Sequence, residues 1–328
     1  MKDIYKLNLQ LFAEMNTNVT SDSGLSVENK TFYDMTLIDE ATPNLIHDQF
    51  GQKRPIPKNG GKKIEFRKFA SLPKATTPIT EGVTPDGKKL SVTAIEAEVA
   101  QYGDYIVQSD VLELTTIDNT IVEATKILGN QAGLTLDTIT RNVLQSGTNV
   151  YYCPKSDGTA VDSRATLDDT CKLTVDVIKR AVAFMKKNNA PKINGDYVAI
   201  IHPFVAYDLM SDEAWIEAHK YTTSENIYEG EIGKIAGVRF VESSEAKIYE
   251  GGVFGTLLIA NGAYGITEIT GGGLKTIIKQ LGSAGTADPL DQRSSIGWKA
   301  IKTAEILVEP YLMRIESKSA LSSEAEAN

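Results

Sequence analysis

Thr120–Ser146, TIVEATKILGNQAGLTLDTITRNVLQS, is the stretch around which the rest of the chain can be laid out. Thr120 and Glu123 form a capping-box pattern: the hydroxyl is placed to accept from the Glu123 amide, and the carboxylate to reach back to the Thr120 amide. Apolar or small residues recur at Ile121, Ala124, Leu128, Ala132, Leu136, Ile139 and Val143. Steps of three and four keep them on one face of a helix. Gly147 stands where a left-handed C-cap is expected. Some 25 residues make a rod of about 37 Å. Gly129 and Gly133 weaken its interior by about 1 kcal/mol each relative to alanine, so packing against other elements has to hold it straight.

Upstream, Lys63–Phe69 alternates, with Ile64 and Phe66 on one face and Glu65 and Arg67 on the other. A tip rich in Pro, Gly and Thr follows, ending in Pro85-Asp86-Gly87, and the return from Leu90 to Val107 alternates again. The reading is a long hairpin whose tip, about twenty residues, is too long for simple packing and suits an arm that reaches elsewhere. Ser109-Asp110 then caps a short helix. Before the hairpin, residues 16–29 are polar and unable to support a core, and Pro55 and Pro57 enforce an extended path.

Downstream the texture is α/β. Ile178, Ala181, Val182 and Met185 mark an amphipathic helix; Tyr197–Ile201 and Thr256–Ala260 read as buried strands, and Ile296–Val308 as closing strands. The tail after Ser317 reads as flexible. A chain of 328 residues with 41% hydrophobic and 23% charged residues is long enough to bury a substantial core. No apolar run reaches the roughly 20 residues of a membrane-spanning helix. Cys153 and Cys171 match no zinc spacing and read as inert thiols of a reducing compartment.

No phosphate-cradling, dinucleotide, nucleophile-elbow or zinc-protease motif is present. His202, after a buried strand, is the one candidate for acid–base work, but no partner stands by to activate it, and a structural histidine is the reading adopted. No catalytic, cofactor or metal site is expected. The notable feature is charge. Between Gly51 and Thr80 eight basic residues face Glu65 alone, a net of +7; between Asp104 and Glu123 five acids face no base. Three readings fit: a solvated hairpin, a nucleic-acid patch with Phe66 and Phe69 stacking on bases, or a basic hairpin lying on the acidic strip of a neighbouring copy. The last is the expectation carried forward, with Lys62, Lys63, Arg67 and Lys68 facing Asp110, Glu113, Asp118 and Glu123.

Taken together, the hairpin with its continuation QYGDYIVQSDVLELT, the helix ending VLQSG, and YVAIIHPFVAYDLMSD, GEIGKIAGVRFVES and IGWKAIKTAEILVEP resemble a tailed-bacteriophage major capsid protein. The opening LNLQLFAE is similar to the starts of head proteins from phages of Gram-positive hosts. The resemblance implies an α+β chain with the Hong Kong phage-type shell fold. It implies an N-terminal arm (1–58), an extended hairpin loop (59–108), a peripheral domain with the spine helix (109–170 and 290–318), an axial domain (171–289) and a flexible tail (319–328). It implies a structural role without cofactors: pentamers and hexamers closing an icosahedral virion head, assembled in the host cytoplasm around loosely contacted double-stranded DNA. A separate scaffolding protein and a portal are the expected partners, and no membrane is involved. Lys74 and Lys88 flank the hairpin tip, but no asparagine partner for a covalent crosslink is evident. The alternatives are an encapsulin-like compartment and, in another class, a soluble α/β enzyme built on residues 172–269.

Overall fold

A computed structural model describes residues 37, 40–41, 45–69, 72–79, 81–82, 84, 86–115, 120–219, 233–283 and 288–328. The expected arm up to residue 36, and Asp118, lie outside the described residues.

The spine helix, α2, spans Thr120–Gln145 and follows the short α1, Asp110–Thr115. Its buried residues come in pairs every four positions, from Ala124 and Thr125 to Leu144 and Gln145. A step of four overshoots one helical turn by about 40°, so the buried stripe winds through about 200° along the helix. The first half packs Ala124, Leu128, Ala132 and Leu136 against Ile296, Trp298 and Ala300. The end turns Leu144 toward Ile200, Leu257 and Ile259. Ile139 and Val143, expected on the stripe, are only half-buried, whereas Thr140, Arg141 and Gln145 are buried. They can be, because distant groups satisfy them: Arg141 Nη1 donates to the Glu245 carbonyl at 2.7 Å and Gln145 Nε2 to that of Gly255 at 2.8 Å.

Two glycine expectations change. Gly129 marks a close approach, since an added Cβ would lie 2.9 Å from the Leu37 carbonyl oxygen. Gly147 is not in the left-handed region. Instead Arg314 Nη1 donates to the terminal carbonyls of Gln145 and Gly147, and Glu309 Oε2 accepts from the Thr148 amide at 3.2 Å.

One sheet runs β1 (Gln52–Lys53), β11 (Tyr264–Thr267), β13 (Arg293–Ile306) and β12 (Lys275–Lys279), with β4 (Ala100–Ser109) also paired to β13. The other runs β5 (Val150–Tyr152), β14 (Leu312–Ser317), β10 (Val253–Ile259), β6 (Tyr197–Ile201), β8 (Val238–Glu242) and β7 (Lys234–Ile235), with β9 (Ile248–Tyr249) on β10. Alternate residues of this second sheet serve two cores. Ala199, Leu258, Met313 and Ile315 face the helix α3 (Val175–Lys187), while Ile200, Leu257 and Leu312 face the first sheet and the end of α2. Ile178, Ala181, Val182 and Met185 are all buried in the former.

The strand pairing cuts across the expected segment boundaries. Residues 150–170 and 312–318, assigned with the spine helix, join the second sheet through β5 and β14. β11 and β12, assigned to the axial segment, lie beside the spine helix in the first sheet. Residues 45–57, assigned to the arm, are sewn into their own subunit: β1 pairs parallel with β11, and the Ile56 amide donates to the Glu268 carbonyl at 2.7 Å. The tail is hydrogen-bonded to the body of the subunit. The Ser319 hydroxyl donates to the Phe204 carbonyl at 3.0 Å and the Ala320 amide to Asp208 Oδ2 at 3.0 Å.

Candidate assembly site

β2 (Lys63–Phe69) and β3 (Val92–Glu98) form a separate two-stranded ladder with Lys63 opposite Glu98 and Phe66 opposite Ile95. Among the described residues only the base of this hairpin is anchored. Phe66 is 4% exposed and lies over Gly265, where an added Cβ would come within 2.8 Å of its ring. Arg54 sits 5.9 Å from the ring centroid on the same side chain. The burial of Phe66 removes it from any base-stacking role. Gly265→Ala should therefore push Phe66 off its seat and cost about 1–3 kcal/mol as an overpacking defect. Denaturant unfolding of the unassembled chain checks this; an unchanged midpoint would show that the ring is not seated there.

Beyond the base, the described residues between 72 and 91 are exposed, with Leu72, Ile79 and Leu90 open to solvent. The return does not continue as hairpin. From Ala100 to Ser109 it zips onto β13 of the same chain over ten successive pairs. The two-stranded ribbon, anchored at its base, is thus residues 63–98, shorter than the 59–108 expected. The alternation runs on through Val99 without a break, so the sequence carries no mark of the change of partner.

Among the described residues the hairpin cations Lys63 and Arg67 find local partners. Lys63 Nζ lies 3.6 Å from Glu96 and Arg67 Nε donates to Glu65 at 3.0 Å, both pairs open to water and worth little. Lys62 and Lys68 are exposed. On the acidic side, Asp104 accepts from Gln131 Nε2 at 2.7 Å and from the Tyr105 amide at 2.8 Å. These bonds, the Gln131 bond foremost, hold its carboxyl below the usual carboxylate range. Asp110 Oδ1 accepts from the Val111 amide at 2.8 Å. Glu113 lies in α1. Glu123 pairs with Lys126 at 3.1 Å one turn along α2. Among the described residues, the structure does not bring the two sets together within one chain.

Sequence reasoning missed the apolar character of the acidic strip. Tyr105, Val107, Val111, Leu112, Leu114 and Ile127 are all exposed. The signal was present in VLELT, where three apolar residues in a five-residue run exceed what one buried helix face needs.

His202 caps the helix Pro203–Met210: its Nδ1 accepts from the Phe204 amide at 3.1 Å, and its ring lies 4.9 Å from that of Phe254. Burial lowers its pKa. It serves the fold. Among the described residues no cluster of three potential metal ligands occurs, and no helix is long and apolar enough to cross a membrane.

Residues 75–310 match the sequence model of a family described as phage capsid protein. The chain belongs to the phage capsid protein family. The match takes in most of the hairpin tip, the spine helix and the strands from β3 to β13. Three solved capsids share the fold of this phage capsid protein. That of cyanophage P-SCSP1u has a TM-score of 0.66 at 15% identity, covering 84% of this chain and 89% of that one. Cyanophage Pam1 gives 0.65 at 12%, covering 86% and 92%. Ralstonia phage GP4 gives 0.60 at 16%, covering 82% and 87%. Curated protein sequences give no match. The tailed-phage capsid fold and the structural role implied by the sequence resemblance both stand: this is a major capsid protein of the virion, one copy among many in a shell, and not an enzyme. The phage family match does not favour a cargo compartment.

Proposed function

We propose that this capsid protein builds an icosahedral head from pentamers and hexamers by laying the basic hairpin of each copy along the acidic strip of the next. The supporting observation is the distribution of exposed apolar residues. Among the described residues most of them fall on the ribbon (Leu72, Ile79, Leu90, Val92) and on the strip (Tyr105, Val107, Val111, Leu112, Leu114, Ile127), and the outgoing strand of the ribbon, with Lys62, Lys63, Arg67 and Lys68 against Glu65, is opposite in charge to the strip. Apolar area supplies affinity, and the charges set register and partner choice. A contact between two different patches is heterologous and generates rings when the rotation closes. In this reading residues 120–145 with the first sheet form the peripheral part, and the α3 layer with the second sheet the axial part around each ring.

Double-stranded DNA is enclosed rather than gripped. A net charge of -9 suits a wall along which a polyanion must slide. Assembly takes place in the host cytoplasm with separate scaffolding and portal proteins. Electron microscopy and size-exclusion chromatography of the purified chain test the reading. Rings of five and six copies or closed shells are expected, with DNA affinity weak at physiological salt. A species that stays monomeric or dimeric under all assembly conditions would overturn it.

A further inference from the structure

The two cysteines, far apart in sequence terms for a metal site, meet in the fold. Along one edge of β14, Tyr152 lies opposite Glu316 and Lys172 opposite Lys318. Those positions are two residues apart, or about 6.6 Å along the strand. Cys153 follows the first and Cys171 precedes the second, so both backbones pass beside Ser317. Hydrogen bonds hold them there: the Cys153 amide donates to the Glu316 carbonyl at 2.9 Å, and the Cys171 carbonyl accepts from the Lys318 amide at 2.9 Å. Two residues held at adjoining positions on one strand edge are near enough for the short span of a disulfide, roughly 4.4–6.8 Å between α-carbons, to be the geometry to test. The face is also shared. Position 317 alternates with Met313 and Ile315, which point into the α3 core, and both cysteines are buried in that same core.

We propose that Cys153 and Cys171 are a latent disulfide pair that closes the 154–170 excursion once the virion has left the reducing cell. The excursion is mostly exposed, pinned by the buried Val161 and Leu167, and its local opening gives access. Cys171 lies at the excursion's mouth, its thiol donating to Asp168 Oδ1 at 3.4 Å. Its thiolate attacks a low-molecular-weight disulfide, forming a mixed disulfide and releasing one thiol. The Cys153 thiolate then attacks the Cys171 sulfur, forming the protein disulfide and releasing the second thiol. Two protein thiols lose two electrons and two protons; the small disulfide is reduced to two thiols. Burial pushes both protein thiols up, and the neighbouring Cys171 adds to the rise at Cys153. Both therefore stay reduced and unreactive in the closed fold. Once formed, the bond ties β5, a three-residue strand at the edge of its sheet, to Lys172 beyond the excursion.

The test is oxidised glutathione added to the purified full chain, followed by intact mass and non-reducing peptide mapping. The expected product is a single species lighter by about 2 Da, with tryptic peptides 142–155 and 165–172 joined within one chain. Cys153→Ser should instead stop at a glutathione adduct on Cys171. The proposal is overturned if the wild-type chain accumulates the mixed disulfide, links to other chains, or keeps both thiols free after the excursion has been opened by mild denaturant. The wild-type readout decides the matter even if the variant folds poorly.

Discussion

Asp48→Ala is expected to cost the folded chain about 3–5 kcal/mol, whereas replacing Asp48 and Lys302 together by leucine and methionine should return most of that loss. The Lys302 side chain is 7% exposed and its ammonium pairs with Asp48 Oδ2, which is itself nearly buried. The same ammonium donates to the Leu136 carbonyl at 3.0 Å, and Asp48 Oδ1 accepts from the Thr140 hydroxyl at 2.6 Å. A strand of the first sheet, the spine helix and the segment before β1 are thus tied at one point. Beside it His47 holds Asp137 through both its amide, at 2.7 Å, and its ring, at 2.6 Å. Removing Asp48 alone strands a positive charge in the interior; removing both charges leaves an apolar site of similar volume. That difference separates the cost of an orphaned charge from the worth of the pair.

The pH dependence carries a sign that checks the cause. Burial lowers the Lys302 pKa, and Asp48 opposes the shift without cancelling it. In the window between the folded value and the unfolded 10.5, the folded chain binds fewer protons than the unfolded one, so this lysine makes stability rise with pH there. Its burial penalty is fully present below the folded pKa and is relieved as pH climbs through it. Loss of Asp48 lowers that pKa further and widens the window. The deficit of Asp48→Ala relative to wild type should therefore be larger at pH 7 than at pH 10, read as denaturation midpoints at constant slope. An equal deficit at both would mean that lost packing, not charge, is responsible.

What could be read in advance follows from where each preference is decided. The start of the spine helix and its first buried half depend on residues three and four apart, and those are visible in order. Its second half buries Thr140, Arg141 and Gln145 because Asp48, Glu245 and Gly255 satisfy them from more than ninety residues away. No local pattern encodes that. The strands Tyr197–Ile201 and Val253–Ile259 are buried on both faces and announce themselves as continuous apolar runs. Their partners do not, since β14 pairs with β10 some sixty residues back and with β5 over a hundred and sixty back. The tail reads as flexible because it is small and charged. Its attachment comes from hydroxyls and amides that find carbonyls and carboxylates, as Ser322 does with Gly252 at 2.9 Å. Of the proposed assembly site, the opposed charges were legible and the apolar surface between them was not.

Reversal of Lys62, Lys63, Arg67 and Lys68 to glutamate is expected to abolish assembly while leaving the subunit folded. It takes the 51–80 segment from +7 to -1 and sets it against a strip of its own sign. Like charges brought together at an interface cost several kcal/mol, and a shell multiplies that cost at every contact. The subunit should tolerate the change. The described cations make only solvent-open pairs, with Lys63 and Arg67 side chains 62% and 67% exposed, so each loss costs the fold little. The new glutamate at 63 does face Glu98 across the ladder, a like-charge pair with a penalty of the same size. Circular dichroism and the unfolding midpoint separate a misfolded monomer from one that cannot assemble. The reciprocal reversal is the sharper half of the experiment. Asp110, Glu113, Asp118 and Glu123 changed to lysine should fail alone, and should recover shells when combined with the reversed hairpin. Recovery would identify the two surfaces as partners, because no general effect on solubility or stability restores assembly by exchanging signs. Normal heads from the hairpin variant alone would remove the charges from the contact and leave only its apolar residues to explain it.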